Sequence, residues 1–141
     1  PARLNMALAF MSRSIVGSNF AKTWVDSALW LQEHGRENST EGAQLVPYLD
    51  LLDDVSQDPE RAWAIIVDIC DLPEAEPVLG LLGAGPLEDL LVLHGYTFIE
   101  RVSAHAIQRA RFREALSGAW KSGMEEDVWS RAQAALKTEA S

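Results

Sequence analysis

Apolar residues along this chain recur three and four positions apart, and the period-two alternation of half-buried strands is nearly absent, so the pattern predicts an all-α fold. A first clear stripe is Phe20, Trp24, Ala28 and Leu31, with Ser18 or Asn19 as the N-cap and Gly35 as the stop. Residues 2–16 read as a further short helix, and the polar, glycine-bounded run from Gly35 to Gly42 reads as a loop. Pro47 suits a first-turn position, and Tyr48, Leu51, Leu52 and Val55 follow at helical spacing. Asp58-Pro59-Glu60 is a strong helix start: a carboxylate accepts from orphan N–H groups, the proline has its φ already set, and a second carboxylate favours the positive end. The helix after it carries Trp63, Ile66, Val67 and Cys70, with Ile65 and Ile69 on adjoining faces. It is apolar around much of its circumference and is expected at the centre, ending before Pro73.

Further along, Glu76-Pro77 opens a short helix that Gly83-Ala84-Gly85 closes, and Pro86 starts another through Leu87, Leu90, Leu91 and His94, which Gly95 is expected to stop. Three more stripes follow: Phe98, Val102 and Ala106; then Phe112, Leu116, Ala119 and Trp120; then Val128, Ala132, Ala135 and Leu136. Short helices joined by tight turns pack antiparallel to their neighbours. The pattern therefore predicts a compact irregular bundle of short antiparallel helices, with HEAT-like hairpins as the ordered variant. No repeat of fixed period supports a true solenoid.

A chain of 141 residues, 48% apolar and 23% charged, is of single-domain size and can bury one core, so residues 1–141 are read as one helical domain. The lone Cys70 excludes an internal disulfide and fits a reducing compartment; within A-I-I-V-D-I-C it reads as a small core hydrophobe. Leu4 to Phe10 is too short and mixed for a signal or a membrane span, so a cytoplasmic protein with no membrane association is expected. The net charge of −9 argues against nucleic acid and anionic lipid, because phosphate binding needs clustered Lys and Arg. Residues 1–94 carry 5 basic and 15 acidic side chains, whereas residues 95–141 carry 7 and 6, which makes the N-terminal part the acidic, partner-facing candidate.

Residues with chemistry are few. Asp50, Asp53 and Asp54 cluster near the C-terminal half of their helix, where the macrodipole disfavours negative charge, so they read as a solvated face or a partner contact. His94 and Glu88, with Asp89 and His105 nearby, are the only source of a metal or acid–base site, but no H-E-x-x-H or related spacing is present. Helix-start charge explains Glu88 and Asp89, and a backbone hydrogen bond suffices for His94. Gly83-Ala84-Gly85 lacks the preceding strand and the G-K-[ST] of a phosphate loop.

Arg101, Arg109, Arg111 and Arg113 form the one basic concentration. On a continuous helix the last three spread around the axis; in a turn they converge on an anion or an acidic partner, and pairing within the chain is the plainer reading. Of five tryptophans, Trp24, Trp63 and Trp120 are expected in the core, while Trp30 and Trp129 lie off the stripes as candidate interface residues. No serine lies in a G-x-S-x-G context. No cofactor and no metal are called for.

A-G-P-L-E-D-L-L at 84–91, His94-Gly95, F-R-E-A-L-S-G-A-W at 112–120 and D-V-W-S-R-A-Q at 127–133, with D-P-E-R-A-W at 58–63 upstream, resemble a family of small bacterial helical proteins known only as a domain of unknown function. The resemblance covers residues 58–136, leaves residues 1–57 as N-terminal helices outside it, and brings no catalytic residues. The leading expectation is a non-enzymatic, acidic protein-interaction domain, with an immunity- or antitoxin-like role as its specific form, because a compact acidic protein neutralises a basic one by complementary charge. A ligand- or metal-binding module or enzyme using His94 and Glu88 is the alternative, and nucleic-acid binding through Arg101 to Arg113 is the third reading. A homo-oligomer stays open.

Overall fold

The structure, a computed structural model, describes residues 17–35 and 42–138, which are helical and contain no strand. The helix expected at 2–16 lies outside the described residues, as does most of the loop expected between Gly35 and Gly42. The first described helix, α1 (Gly17–His34), is already under way at Gly17, so Ser18 and Asn19 lie within it rather than ahead of it. Gly35 ends it as expected, at φ +72°, a left-handed conformation that glycine adopts without steric cost, and its N–H donates to the Leu31 carbonyl at 2.7 Å.

Helix α2 (Gly42–Gln57) begins five residues before Pro47, which therefore sits inside it and not in its first turn. Proline there removes the N–H that would pair with the carbonyl four residues back, and its ring crowds that turn open. Ser27 of α1 fills the opening. The Tyr48 N–H donates to Ser27 Oγ at 3.3 Å, and that hydroxyl donates to the Gln44 carbonyl at 2.6 Å, replacing one rung of the helix by a bridge. Ser27 is the buried polar side chain among the described residues.

Helix α3 (Pro59–Asp71) starts as its sequence predicts, with Asp58 accepting from the Arg61 N–H at 3.2 Å and Pro59 in the first turn. Its buried face is Ala62, Ile65, Ile66, Ile69 and Cys70, with Trp63 half-buried at the margin. After Leu72 the chain makes a 3₁₀ turn (Pro73–Val78), the short helix α4 (Leu79–Leu82) and a π turn (Gly83–Leu87), which leads into α5 (Glu88–Gln108). Gly83-Ala84-Gly85 thus does not close a helix. A Cβ on Gly83 would lie 1.7 Å from the Ala115 carbonyl oxygen, so this glycine is what lets the π turn press against the backbone of the helix at Ala110–Ser117.

The stop expected at Gly95 appears as a kink one residue earlier. The helix bends at His94 (φ −134°, ψ 32°) and continues to Gln108. Helix α6 (Ala110–Ser117) and helix α7 (Glu126–Lys137) complete the described chain. Helices α1, α2 and α3 pack on one another; α4, α5, α6 and α7 form a second group, in which α5 packs on α6 and α7. Contacts of α2 with α5 and of α3 with α6 join the two groups. Trp24, Leu51, Ile66, Leu79, Leu90, Phe98, Phe112 and Val128 belong to one continuous apolar core.

The stretch Pro73–Gln108 is long and apolar enough to cross a bilayer, but half of its most apolar window is buried against the other helices.

Candidate functional site

His94 faces the C-terminal end of α2. Pro59 has no N–H to give the Val55 carbonyl, its partner in a continued helix, and His94 Nε2 donates to that carbonyl at 2.9 Å instead. The ring also meets Phe98 edge-on at 6.4 Å. His105 Nδ1 donates to the Arg101 carbonyl of its own helix at 3.2 Å, and its ring meets Trp63 edge-to-face and lies tilted against Phe112.

Glu88 reaches across to the turn between α6 and α7. One of its oxygens accepts from the Trp120 N–H at 2.7 Å and the other from Ser122 Oγ at 2.8 Å. His94 and Glu88 are therefore engaged with different elements, and among the described residues no three His, Cys, Asp or Glu side chains are grouped to hold a metal ion.

The arginines line the junction of α3, α5 and α6. Arg109 lies between α5 and α6 in extended conformation, so the segment is a turn, and its guanidinium pairs with Asp71 at 3.1 Å. Arg111 Nε donates to the Cys70 carbonyl at 2.7 Å, its Nη2 donates to the Leu72 carbonyl, and Nη1 pairs with Glu76 at 3.4 Å. Arg113 donates to the Ala106 carbonyl at 2.9 Å. Arg111 and Arg113 thus serve the carbonyl ends of α3 and α5, where positive charge is favoured. Arg101 makes two bonds to Glu60, at 2.8 and 2.9 Å, and lies 4.1 Å over the Phe98 ring.

A half-open hollow of about 350 Å³ at this junction is lined by Cys70, Asp71, His105, Arg109, Arg111 and Phe112, among others. Burial, with Asp71 adding to it, pushes the Cys70 thiol up to about 12, so the sulfur in its wall stays protonated at neutral pH and is a poor nucleophile.

The acidic cluster of α2 divides. Asp54 turns to Arg61, at 3.2 Å in a partly buried pair. Asp50 and Asp53 are exposed, and neither forms an ion pair among the described residues. Beside them stand Val46 and Leu49, 48% and 54% exposed. Val46, Leu49, Asp50 and Asp53 follow at i, i+3, i+4 and i+7, so two aliphatic side chains and two carboxylates share one outward stripe.

Among the tryptophans, Trp24 is fully buried and stacks on Tyr48 at 5.8 Å; Trp63 is half-buried among Phe98, His105 and Phe112. Trp30 is half-buried and stacks on His34 at 4.5 Å, and Trp129 is half-buried against the core. Trp120, expected in the core, is 72% exposed. Helix α6 ends at Ser117, so the helical spacing that placed Trp120 on the stripe of Phe112 and Leu116 no longer holds three residues later. Sequence reasoning also missed Val46, Leu49, Leu93 and Tyr96 as exposed residues. The first two were visible in principle, because they share a helical stripe with Asp50 and Asp53 once the helix is extended back to Gly42.

A family model described as a family of unknown function (DUF6869) matches residues 36–140, reaching further towards the N-terminus than the motifs that begin at residue 58. No curated protein and no solved structure matches the chain.

Proposed function

Since the chain belongs to DUF6869, a family of unknown function that brings no activity with it, we propose from the side chains themselves that it is a non-catalytic domain binding a basic protein through the outer stripe of α2. The observation that carries this reading is the exposed set Val46, Leu49, Asp50 and Asp53: apolar side chains that give contact area, with carboxylates that form no ion pair among the described residues. By contrast, His94, Arg101, Arg109, Arg111 and Arg113 each hold one part of the fold to another. The formal charge of −9 supplies a field that steers a cationic partner and speeds its association. An immunity-like role, neutralising a basic toxin, is the specific form that such a surface suits.

The test places a photo-crosslinking residue at position 49 of the full chain in the cells that make it. One basic protein is expected in the crosslink. Asp50→Lys with Asp53→Lys should weaken its binding by about tenfold or more, mainly through slower association and with less effect at high salt, while the helical content is retained. Equal affinity of the double variant for the partner, or a partner of acidic character, would overturn the reading.

A further inference from the structure

A second exposed surface lies on the opposite group of helices, where Leu93, Tyr96 and Trp120 are 57%, 64% and 72% exposed. Trp120 belongs to a turn that is held firmly. Ala119 and Met124 on either side of it are buried, the Trp120 N–H and the Ser122 hydroxyl are both bound by Glu88, and Gly123 faces Val92. Ser122 is kept at φ +46°, in the left-handed region that non-glycine residues seldom occupy. The backbone is thus fixed while the indole is left in water. A large aromatic side chain held out from a pinned turn binds without a further backbone ordering cost.

Glu88 holds the turn at Trp120 and Ser122, and Val92, one helical step on, lies against Gly123 of the same turn. Leu93 and Tyr96 flank the bend at His94 just beyond it. A hollow of about 300 Å³ beside them is lined by Val92, Leu93, His94, Tyr96 and Glu125. The charges around this face are mostly negative: Asp89 and Glu88 in the first turn of α5, and Glu125 and Asp127 at the start of α7, against Arg131, which shares a hollow with Tyr96 and Asp127 and lies 3.9 Å from Glu100. Partial desolvation, then the charges of Asp127 and Glu125, push the Tyr96 hydroxyl above its ordinary titration range. Lys121 is the cation nearest in sequence, and it is paired with Glu126.

We infer that this face, from Trp120 to Tyr96, is a second binding surface and that its occupant is an arginine-rich basic polypeptide segment. Its guanidinium groups stack on the exposed indole and phenol rings and pair with Glu125 and Asp127. Arginine suits both parts of the surface, because a planar guanidinium lies flat on an aromatic ring and still donates to carboxylates in its plane. The surface is separate from the α2 stripe and shares with that reading only the basic character of the partner.

The experiment titrates the full chain with a blocked heptapeptide of alternating arginine and glycine, followed by the NMR signals of the tryptophan indoles, tyrosine rings and leucine methyls. The peptide should move the signals of Trp120, Tyr96 and Leu93, and Trp120→Ala should weaken binding about fivefold, the loss of one cation–ring contact. Asp50→Asn with Asp53→Asn should leave the shifts of Trp120, Tyr96 and Leu93 unchanged. A lysine peptide of equal charge should bind more weakly, and a glutamate peptide should not bind.

Equal binding by the wild type and Trp120→Ala, or shifts confined to α2, would overturn the inference. So would a lysine peptide that binds as well as the arginine one, since charge alone would then account for it. The α2 reading fails on its own variants and partner and is untouched by these outcomes.

Discussion

At the scale of single residues, the side chains that look chemical in the sequence are largely those that repair the backbone. Proline at 59 leaves the Val55 carbonyl without its helical partner, and His94 supplies a donor from 39 residues away. The ends of α3 and α5 expose carbonyls, and Arg111 and Arg113 supply theirs. Glycines show the same shift of role. Gly95 reads as a helix stop, and α5 does bend beside it at His94, but it also serves packing, since a Cβ there would sit 2.8 and 3.0 Å from the two γ-methyls of Val128. Gly95→Ala should therefore cost about 1–3 kcal/mol through overpacking. Val128→Ala removes both obstructing methyls, so the pair should show a coupling of about 1 kcal/mol or more in the stabilising direction. Urea unfolding of the two single variants and the double variant measures it. If Gly95 were needed for its backbone conformation, the two costs would simply add.

The same distinction between local and distant causes decides what can be read at the scale of elements. Helix α3 is legible almost whole, because its cap, first-turn proline, apolar face and terminal Pro73 are all local signals. The stripes of Phe98, Val102 and Ala106 and of Val128, Ala132 and Ala135 are likewise buried where the spacing puts them. What is not local is misread. Pro47 looks like a first-turn residue, and only α1, packed alongside, shows why it is tolerated in the interior of α2.

Ser27 bridges the opened turn, and nothing near residue 47 announces it. Ser27→Ala leaves a buried N–H and carbonyl without their bridge and should cost about 1–3 kcal/mol. In a Pro47→Ala background an N–H at position 47 and a closed turn become available, so Ser27→Ala should cost clearly less there. Thermal or urea unfolding of the cycle checks this. Equal costs in both backgrounds would mean that the turn is held open by packing rather than by proline. The candidate surface was half legible for a related reason: Asp50 and Asp53 could be named from charge, whereas Leu93, Tyr96 and Trp120 required knowing which apolar positions the bundle leaves uncovered.

For the molecule as a whole, charge is the dominant feature, and it makes a prediction about acid. Burial, followed by the negative charge of a neighbour, raises the carboxyl of Asp68 beside Asp71 and that of Asp89 beside Glu88 above their ordinary 3.8. A hydrogen bond with Glu76 and its charge raise Glu114 above 4.5. Glu60 runs the other way, lowered chiefly by its hydrogen bond to Arg101. A carboxyl whose titration is raised by folding binds its proton more tightly in the native state, so stability grows as pH falls from neutral through that raised range. Glu60 contributes the opposite slope, losing its stabilisation as pH drops through its own lowered range.

Relief of repulsion in a chain of formal charge −9 acts in the same direction as Asp68, Asp89 and Glu114. The thermal midpoint should therefore rise as pH falls from 7 towards the ordinary carboxylate range and fall again in more acid solution, once Glu60 and the other ion-paired carboxylates take up protons. Asp68→Asn should flatten that rise, because it removes one of the groups responsible while keeping a side chain of similar size. Calorimetric scans across the range decide it. A midpoint that falls steadily from pH 7 would mean that carboxylates stabilised by their partners outweigh those opposed by burial and by one another.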